Sequence, residues 1–207
     1  MPGYPIELDL RGRSALVVGL GAVGRRKAAG LLASGARVIG VDPSPGVDDV
    51  EGVERRAEAY GPGHLSGVCL AIAAATSEVN RRVVADAKAA GVWVNAATDP
   101  DAGDFRVPAV WREGGLTLTV ATAGASPALA SALRDRAAEA LGPSASGLAA
   151  TFALLRPWVF ARLTAPDARR KALADWADPR WLALFASGGA EAVRDELLRL
   201  TGGDPDR

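Results

Sequence analysis

The run "LVVGLGAVGRRKAAGLLASGARVIGVD", Leu16 to Asp42, limits the possible folds more than any other stretch of the chain. Leu16-Val17-Val18 is a short apolar run, as a parallel strand covered on both faces requires. Gly19, Gly21 and Gly24 then form G-x-G-x-x-G as the chain turns into a helix. The first glycine permits the tight turn, the second clears space for a phosphate, and the third lets helix and strand pack closely. Free N–H groups at the helix start would face that phosphate. Ala28, Leu31 and Leu32 recur at helical spacing, Ser34-Gly35 closes the helix, and a second strand runs from Arg37 to Val41. Asp42 ends that strand, 18 residues after the third glycine. A carboxylate there can accept hydrogen bonds from the ribose hydroxyls of a dinucleotide and would repel a 2′-phosphate, so the pattern predicts NAD as cofactor rather than NADP.

Strand and helix signals keep alternating beyond this unit. "VERRAEAY" suggests a short third strand or edge segment, and Val68–Ala73 within "GHLSGVCLAIAAAT" a buried strand. "SEVNRRVVADAKAAG" predicts a helix with Ser77 as N-cap, Val79, Val83 and Val84 inward, and Gly91 at its end; "VWVNAA" follows as a strand. The expected fold class is therefore α/β, a Rossmann-like doubly wound parallel sheet. The texture changes after residue 97. "TDPDAGDFRVPAVWREGG" reads as loop, "LTLTVAT" alternates like a half-exposed strand, and "GASPALASALRDRAAEALG" is a helix with Ser126 as N-cap and Pro127 at its first position. The rest to about Leu200 is helical, with Trp158, Trp176 and Trp181 as its expected core, before a tail "TGGDPDR" without structural signals. Three parts follow: a dinucleotide-binding domain over 1–112, a small α+β segment over 113–143, and a helical C-terminal domain over 144–207.

Composition removes several classes of function. With 49% hydrophobic and 23% charged residues the chain is globular, and Lys plus Arg balance Asp plus Glu at 24 each. That balance argues against a broad nucleic-acid or membrane surface. A single cysteine, Cys69, leaves no intrachain disulfide and no thiolate metal cage, and it reads as a buried structural thiol. His64, the one histidine, reads as an exposed turn residue, and no metal-ligand spacing is visible. No apolar run reaches the ~18 residues of a membrane span, and "MPGYPIELDLRGR" lacks a signal-peptide core, so a cytoplasmic protein is expected.

The order of the motifs resembles the precorrin-2 dehydrogenase/sirohydrochlorin ferrochelatase family of siroheme biosynthesis, also found as the N-terminal part of siroheme synthases. The resemblance is carried by "YPIELDLRGRSALVVGLGAVGRRKAAGLLASGARV", "CLAIAAATSEVNRRV", "VNAATDPDAGDFRVPA" and "LTLTVATAGASPALASALRDR", in that order over residues 4–136. It implies NAD-dependent oxidation of precorrin-2 to sirohydrochlorin and, in some members, insertion of Fe(II). It also implies a homodimer that exchanges elements after the first domain, which makes 113–143 a dimerisation segment, with the active site between domains. By matching position, Ala22 and Val23 in the glycine turn, and Asp42 with Pro43, would touch NAD, and Thr76 would lie near the nicotinamide.

Hydride loss from the substrate leaves a proton to be accepted by a base or by water. Many family members carry Asn-x-x-Asp where this chain has Asn95, followed by Thr98 and then Asp99. Asp99 is the expected catalytic carboxylate, with Asp101 and Asp104 as alternatives, and the shift puts metal insertion in doubt more than oxidation. Ser126 matches a family serine near the tetrapyrrole pocket and is also a plain helix cap. Arg25, Arg26 and Lys27 at a helix start suggest anion binding, and Arg106, Arg112, Arg134 and Arg136 are candidates for substrate carboxylates. Two other readings stay open: a chelatase with weakened NAD binding, and a non-catalytic regulator that binds NAD or a tetrapyrrole.

Overall fold

The computed structural model describes residues 3–45 and 50–201. Four of the seven residues of the loop "PSPGVDD", 46–49, and all but the first residue of the tail "TGGDPDR" lie outside the described residues.

The first compact unit, residues 1–107, is built on a five-stranded sheet of order β3-β2-β1-β4-β5, parallel throughout. The strands are β1 (Ser14–Val18), β2 (Arg37–Val41), β3 (Val53–Arg56), β4 (Val68–Ala73) and β5 (Trp93–Ala96), joined in part by helices α1 (Ala22–Leu32) and α2 (Ser77–Ala89). β1 is central and buried at every residue. Its side chains alternate between two cores, which is why an unbroken apolar run was needed. Ala15 and Val17 join Val38, Leu70, Ile72 and Ala28 of α1, whereas Leu16 and Val18 join Val41, Ala71, Val94 and Val83 of α2. A helix thus covers each face, and the Rossmann-like α/β expectation holds. The uncertain "VERR" stretch is the edge strand β3. The other edge, β5, is closed by the loop after it. The Asp104 N–H donates to the Val94 carbonyl (2.7 Å), its Oδ2 accepts from the Val94 N–H (3.0 Å), and Asn95 Nδ2 donates to the Phe105 carbonyl (2.8 Å).

The second unit is residues 108–207, so the compact units part at 107/108, not at 112. The stretch expected to be loop contains a strand, β6 (Ala109–Glu113), paired antiparallel with β7 (Leu116–Val120) through a two-residue Gly114-Gly115 turn. Gly114 has φ +54°, and a Cβ there would stand 2.8 Å from the Ser146 carbonyl oxygen. The hairpin packs against α3 (Pro127–Arg162), which is broken at Gly142, where φ is 66° and Pro143 follows. α4 (Pro166–Asp175) and α5 (Arg180–Leu200) complete the unit. Trp181 is fully buried among Leu148, Val193 and Leu197, with its indole N–H donated to the Asp175 carbonyl (2.9 Å), and Trp176 stacks on Phe152. Trp158 departs from expectation: it lies outside that core, with the Arg162 guanidinium 3.8 Å over its ring. No helix among the described residues is long and apolar enough to cross a membrane.

Candidate functional site

The glycine turn leads from the carboxyl end of β1 into α1, and each glycine meets a different steric demand. Gly19 has φ +90°, and a Cβ there would lie 2.6 Å from the Ala74 and Ala75 backbone at the end of β4. A Cβ on Gly24 would lie 1.8 Å from the Gly19 carbonyl oxygen. Gly21 faces open space, with nothing within 4 Å of its Cβ position. It is also the N-cap of α1, which has no side-chain cap and no acidic residue in its first turn. Unpaired N–H groups beneath an open glycine form a cradle that fits a dinucleotide pyrophosphate. Ala22 and Val23 are exposed at the rim of this cradle.

Asp42 closes the turn from the side. It is buried, with Oδ2 accepting from the Leu20 N–H (2.7 Å) and Oδ1 from the Ser44 N–H (2.9 Å). Burial alone would raise its pKa. The two N–H donors, helped by the Arg55 charge, outweigh burial and hold the carboxyl below its ordinary value. The residue expected to face a ribose is therefore also a clamp between the glycine turn and the loop after β2. Each oxygen keeps acceptor capacity for a ribose hydroxyl. Pro43 follows as an exposed residue of the same rim.

The ends of β4 and β5 form the neighbouring part of the edge. Thr76, not Ser77, is the N-cap of α2: its backbone is extended and its Oγ1 accepts from the Val79 N–H (3.4 Å), leaving Ser77 as the first helical residue. Asn80, one turn further on, is buried at 2% exposure. Its Oδ1 accepts from the Ala75 N–H (2.9 Å), and its Nδ2 donates to the Ala75 carbonyl (3.1 Å) and to Thr98 Oγ1 (3.1 Å). The sequence reading passed over Asn80. Its signal was a polar residue on the same helix face as the inward Val83, Val84 and Ala87. β5 ends at Ala96, so Asp99 sits in loop, exposed, and strand alternation does not set its direction. The other two acids serve the loop itself, Asp101 paired with Arg106 and Asp104 bonded to β5.

Several of the remaining candidates have local partners. Ser126 caps α3, its Oγ accepting from the Leu129 N–H (3.1 Å), in the second unit. Arg134 pairs with Asp135 at 2.5 Å, whereas Arg112 and Arg136 are exposed. Arg26 is exposed beside α1's N-terminal turn, and Lys27 is half-buried; burial first and the Arg26 charge second lower its pKa. His64 is not the exposed turn residue expected. It is half-buried, with Nε2 on Glu58 (3.0 Å) and Nδ1 against the Gly61 backbone. Cys69 is partly buried against the α1-side core. Among the described residues no group of three or more His, Cys, Asp or Glu side chains could hold a metal ion.

A family model described as "Putative NAD(P)-binding" matches residues 6–109, the unit that carries this turn. A siroheme synthase of Chromobacterium violaceum is 36% identical over the whole chain, which covers 46% of that protein; one of Nitrosomonas eutropha is 31% identical, with 45% covered. The chain belongs to the "Putative NAD(P)-binding" family that this model describes, and these siroheme synthases are similar to it along its whole length. It spans about half the length of the curated relatives it matches. Among solved structures, SirC, a precorrin-2 dehydrogenase, superposes with a TM-score of 0.74 over 97% of this chain and 99% of its own at 22% identity, which establishes a shared fold.

The three glycines make separable predictions. Gly21→Val, with open space at its Cβ, should cost the fold at most about 1 kcal/mol of N-cap preference while weakening NAD binding tenfold or more. Gly24→Ala, which must move the Gly19 carbonyl, should cost about 1–3 kcal/mol in the fold itself. Thermal unfolding and NAD titration of both variants check this. For Asp42 the sign follows from its lowered pKa. Its stabilising contribution is complete above the ordinary carboxyl value of 3.8 and is lost as pH falls through the lowered one. Asp42→Asn should therefore lose about 1–3 kcal/mol at neutral pH, and urea unfolding should show its deficit against wild type shrinking as the pH is taken below 3.8.

Proposed function

We propose that the chain oxidises precorrin-2 to sirohydrochlorin, using NAD. The observation that carries this is the uncapped N-terminus of α1 beneath an open Gly21, flanked by Asp42, in a chain whose relatives are siroheme synthases along its whole length. When bound, NAD supplies the acceptor for the hydride. Gly19, Gly21, Ala22, Val23 and Gly24 shape the surface against the pyrophosphate, and Asp42 and Pro43 receive the ribose. The Asp42 carboxylate disfavours a 2′-phosphate by charge, so NAD is preferred to NADP. Thr76 borders the nicotinamide from the end of β4.

The reaction removes one hydride and one proton from the substrate. Asp99, exposed and adjacent to Thr98 on the loop after β5, takes the proton or orders the water that does. The Ser126 hydroxyl and the Ala128 N–H, the one in the first turn of α3 that neither Ser126 nor proline takes up, receive a substrate carboxylate. Holding the macrocycle against the nicotinamide supplies much of the rate. Fe(II), where inserted, is a substrate held by the macrocycle nitrogens. The reading puts the enzyme in the cytoplasm, in keeping with its single unpaired cysteine.

The working form is a homodimer. Leu129 and Leu133, one turn apart on α3, are 50% and 44% exposed, and Tyr4, Ile6 and Leu8 alternate along an exposed extended segment. Such apolar surface, one patch in each unit, is suited to a second copy, and in the second unit the two-stranded sheet pairs with no further strand among the described residues. Sedimentation should give a dimer at micromolar concentration, and Leu133→Asp should weaken it at least tenfold.

Incubation of the protein with NAD and precorrin-2, without metal, should yield NADH and sirohydrochlorin in equal amounts. Bound NAD without NADH formation would overturn the dehydrogenase reading. Fe(II) added afterwards tests insertion separately.

A further inference from the structure

We infer that Thr98 is a hydrogen-bond donor to an oxygen of the bound ligand, and that Asn80 is the positioning residue that turns its proton outward. The inference rests on the reading of this edge as a dinucleotide and tetrapyrrole site.

Hydrogen-bond polarity fixes the roles of both side chains. The Ala75 N–H is donated to the Asn80 side chain, so the atom it meets must be the carbonyl oxygen Oδ1. The amide is then fixed with Nδ2 on its other side. One Nδ2 hydrogen goes to the Ala75 carbonyl and the second to Thr98 Oγ1. Asn80 is 2% exposed and both of its amide hydrogens are committed, so it has no alternative arrangement. Thr98 Oγ1 must therefore act as acceptor toward Asn80, and its own proton cannot point there. Thr98 is exposed, and no described residue accepts that proton.

That proton is left to solvent or to a ligand at the carboxyl edge of the sheet, where the loop after β5 lies. Thr98 stands two residues past β5, as Gly19 opens the turn after β1 and Thr76 follows β4. In an open parallel sheet this edge, at the reversal of strand order between β1 and β4, is where ligands bind. A carboxylate at residue 98 could only accept from a ligand or take its proton. A hydroxyl held in this way donates. The complementary chemistry is a carbonyl or carboxylate oxygen, either the nicotinamide carboxamide or an acid side chain of the tetrapyrrole.

Binding to the intact protein tests this with two probes, NAD and metal-free sirohydrochlorin. Thr98→Val removes the donor and also the acceptor of the Asn80 Nδ2 hydrogen, whereas Thr98→Ser keeps both; thermal unfolding of Thr98→Val reads any cost of that lost bond to the fold apart from ligand binding. If the carboxamide is the partner, Thr98→Val weakens NAD about tenfold and Thr98→Ser does not. If the partner is a tetrapyrrole carboxylate, sirohydrochlorin binding falls by that factor and NAD binding is unchanged. Thr98→Val equal to wild type for every ligand that wild type binds overturns the inference. Asn80→Asp tests the positioning role: an ionised carboxylate there accepts from Thr98, draws the proton inward and reproduces the Thr98→Val loss. That loss should shrink as the pH is lowered and the introduced carboxyl regains a proton to donate; because the carboxylate also faces the Ala75 carbonyl, thermal unfolding over the same pH range separates relief of damage to the fold from recovery of ligand binding alone. Wild type that binds both probes yet forms no NADH from precorrin-2 would instead sink the dehydrogenase reading and leave the Thr98 comparison readable.

Discussion

The carboxyl edge of the sheet depends on how closely the β1–α1 turn lies against its neighbours. The Gly19 carbonyl occupies the space a Gly24 side chain would need, and the Gly19 Cα faces the Ala74-Ala75 backbone closely enough that no Cβ fits. Sterics alone would leave such a turn defined on one side only. Asp42 supplies the other side by taking the Leu20 N–H, so the turn is held between the ends of β4 and β2. One buried carboxylate thus fixes the loop that a dinucleotide would approach, and its charge is compensated by backbone donors, which is what permits its burial.

Much of this was legible because it follows from backbone geometry. The three glycines, the apolar run before them and the strand ending at Asp42 all report steric or periodic demands that residue type reveals directly. The limits of β2 and β4 could be read to the residue for the same reason. What escaped the reading depends on partners distant in sequence. Asp42 could be expected to meet a ribose, but not to be engaged already by Leu20 and Ser44. His64 looked like a turn residue because Glu58 and Gly61 offer no signal as its partners. The α2 cap moved from Ser77 to Thr76 because either hydroxyl could serve, and only the extended backbone at Thr76 decides. β6 was lost to the prolines and glycines around it. Its strand identity comes from pairing with β7 across Gly114-Gly115, a two-glycine turn that suits a tight hairpin.

In the second unit, long helices are interrupted where the packing requires it. α3 breaks at Gly142, and Ser146 just beyond donates to both the Pro143 carbonyl and Glu113 of the hairpin. Trp181 anchors the core because its indole N–H finds a carbonyl, whereas Trp158, with a cation stacked on it, tolerates half-exposure. Residue type alone did not separate these two tryptophans.

A threonine at residue 98, where the family resemblance leads one to expect a carboxylate, gains meaning from Asn80. A carboxylate and a hydroxyl can both accept from Nδ2, so the structural bond between α2 and the β5 loop survives either residue. The two differ on the side facing away from Asn80, where a carboxylate offers a lone pair and a threonine offers a proton. The fold can therefore hold its loops constant while the chemistry presented to a ligand changes from acceptor to donor. Asp99, one residue on and free of the strand, keeps a carboxylate on the same loop. Under the proposed roles, binding and proton acceptance, which a single aspartate would combine, are divided between neighbouring residues. That division is compatible with oxidation, where water can take the proton. It suits metal insertion less, since stripping protons from the macrocycle nitrogens calls for a base held in place, and an exposed loop acid is not.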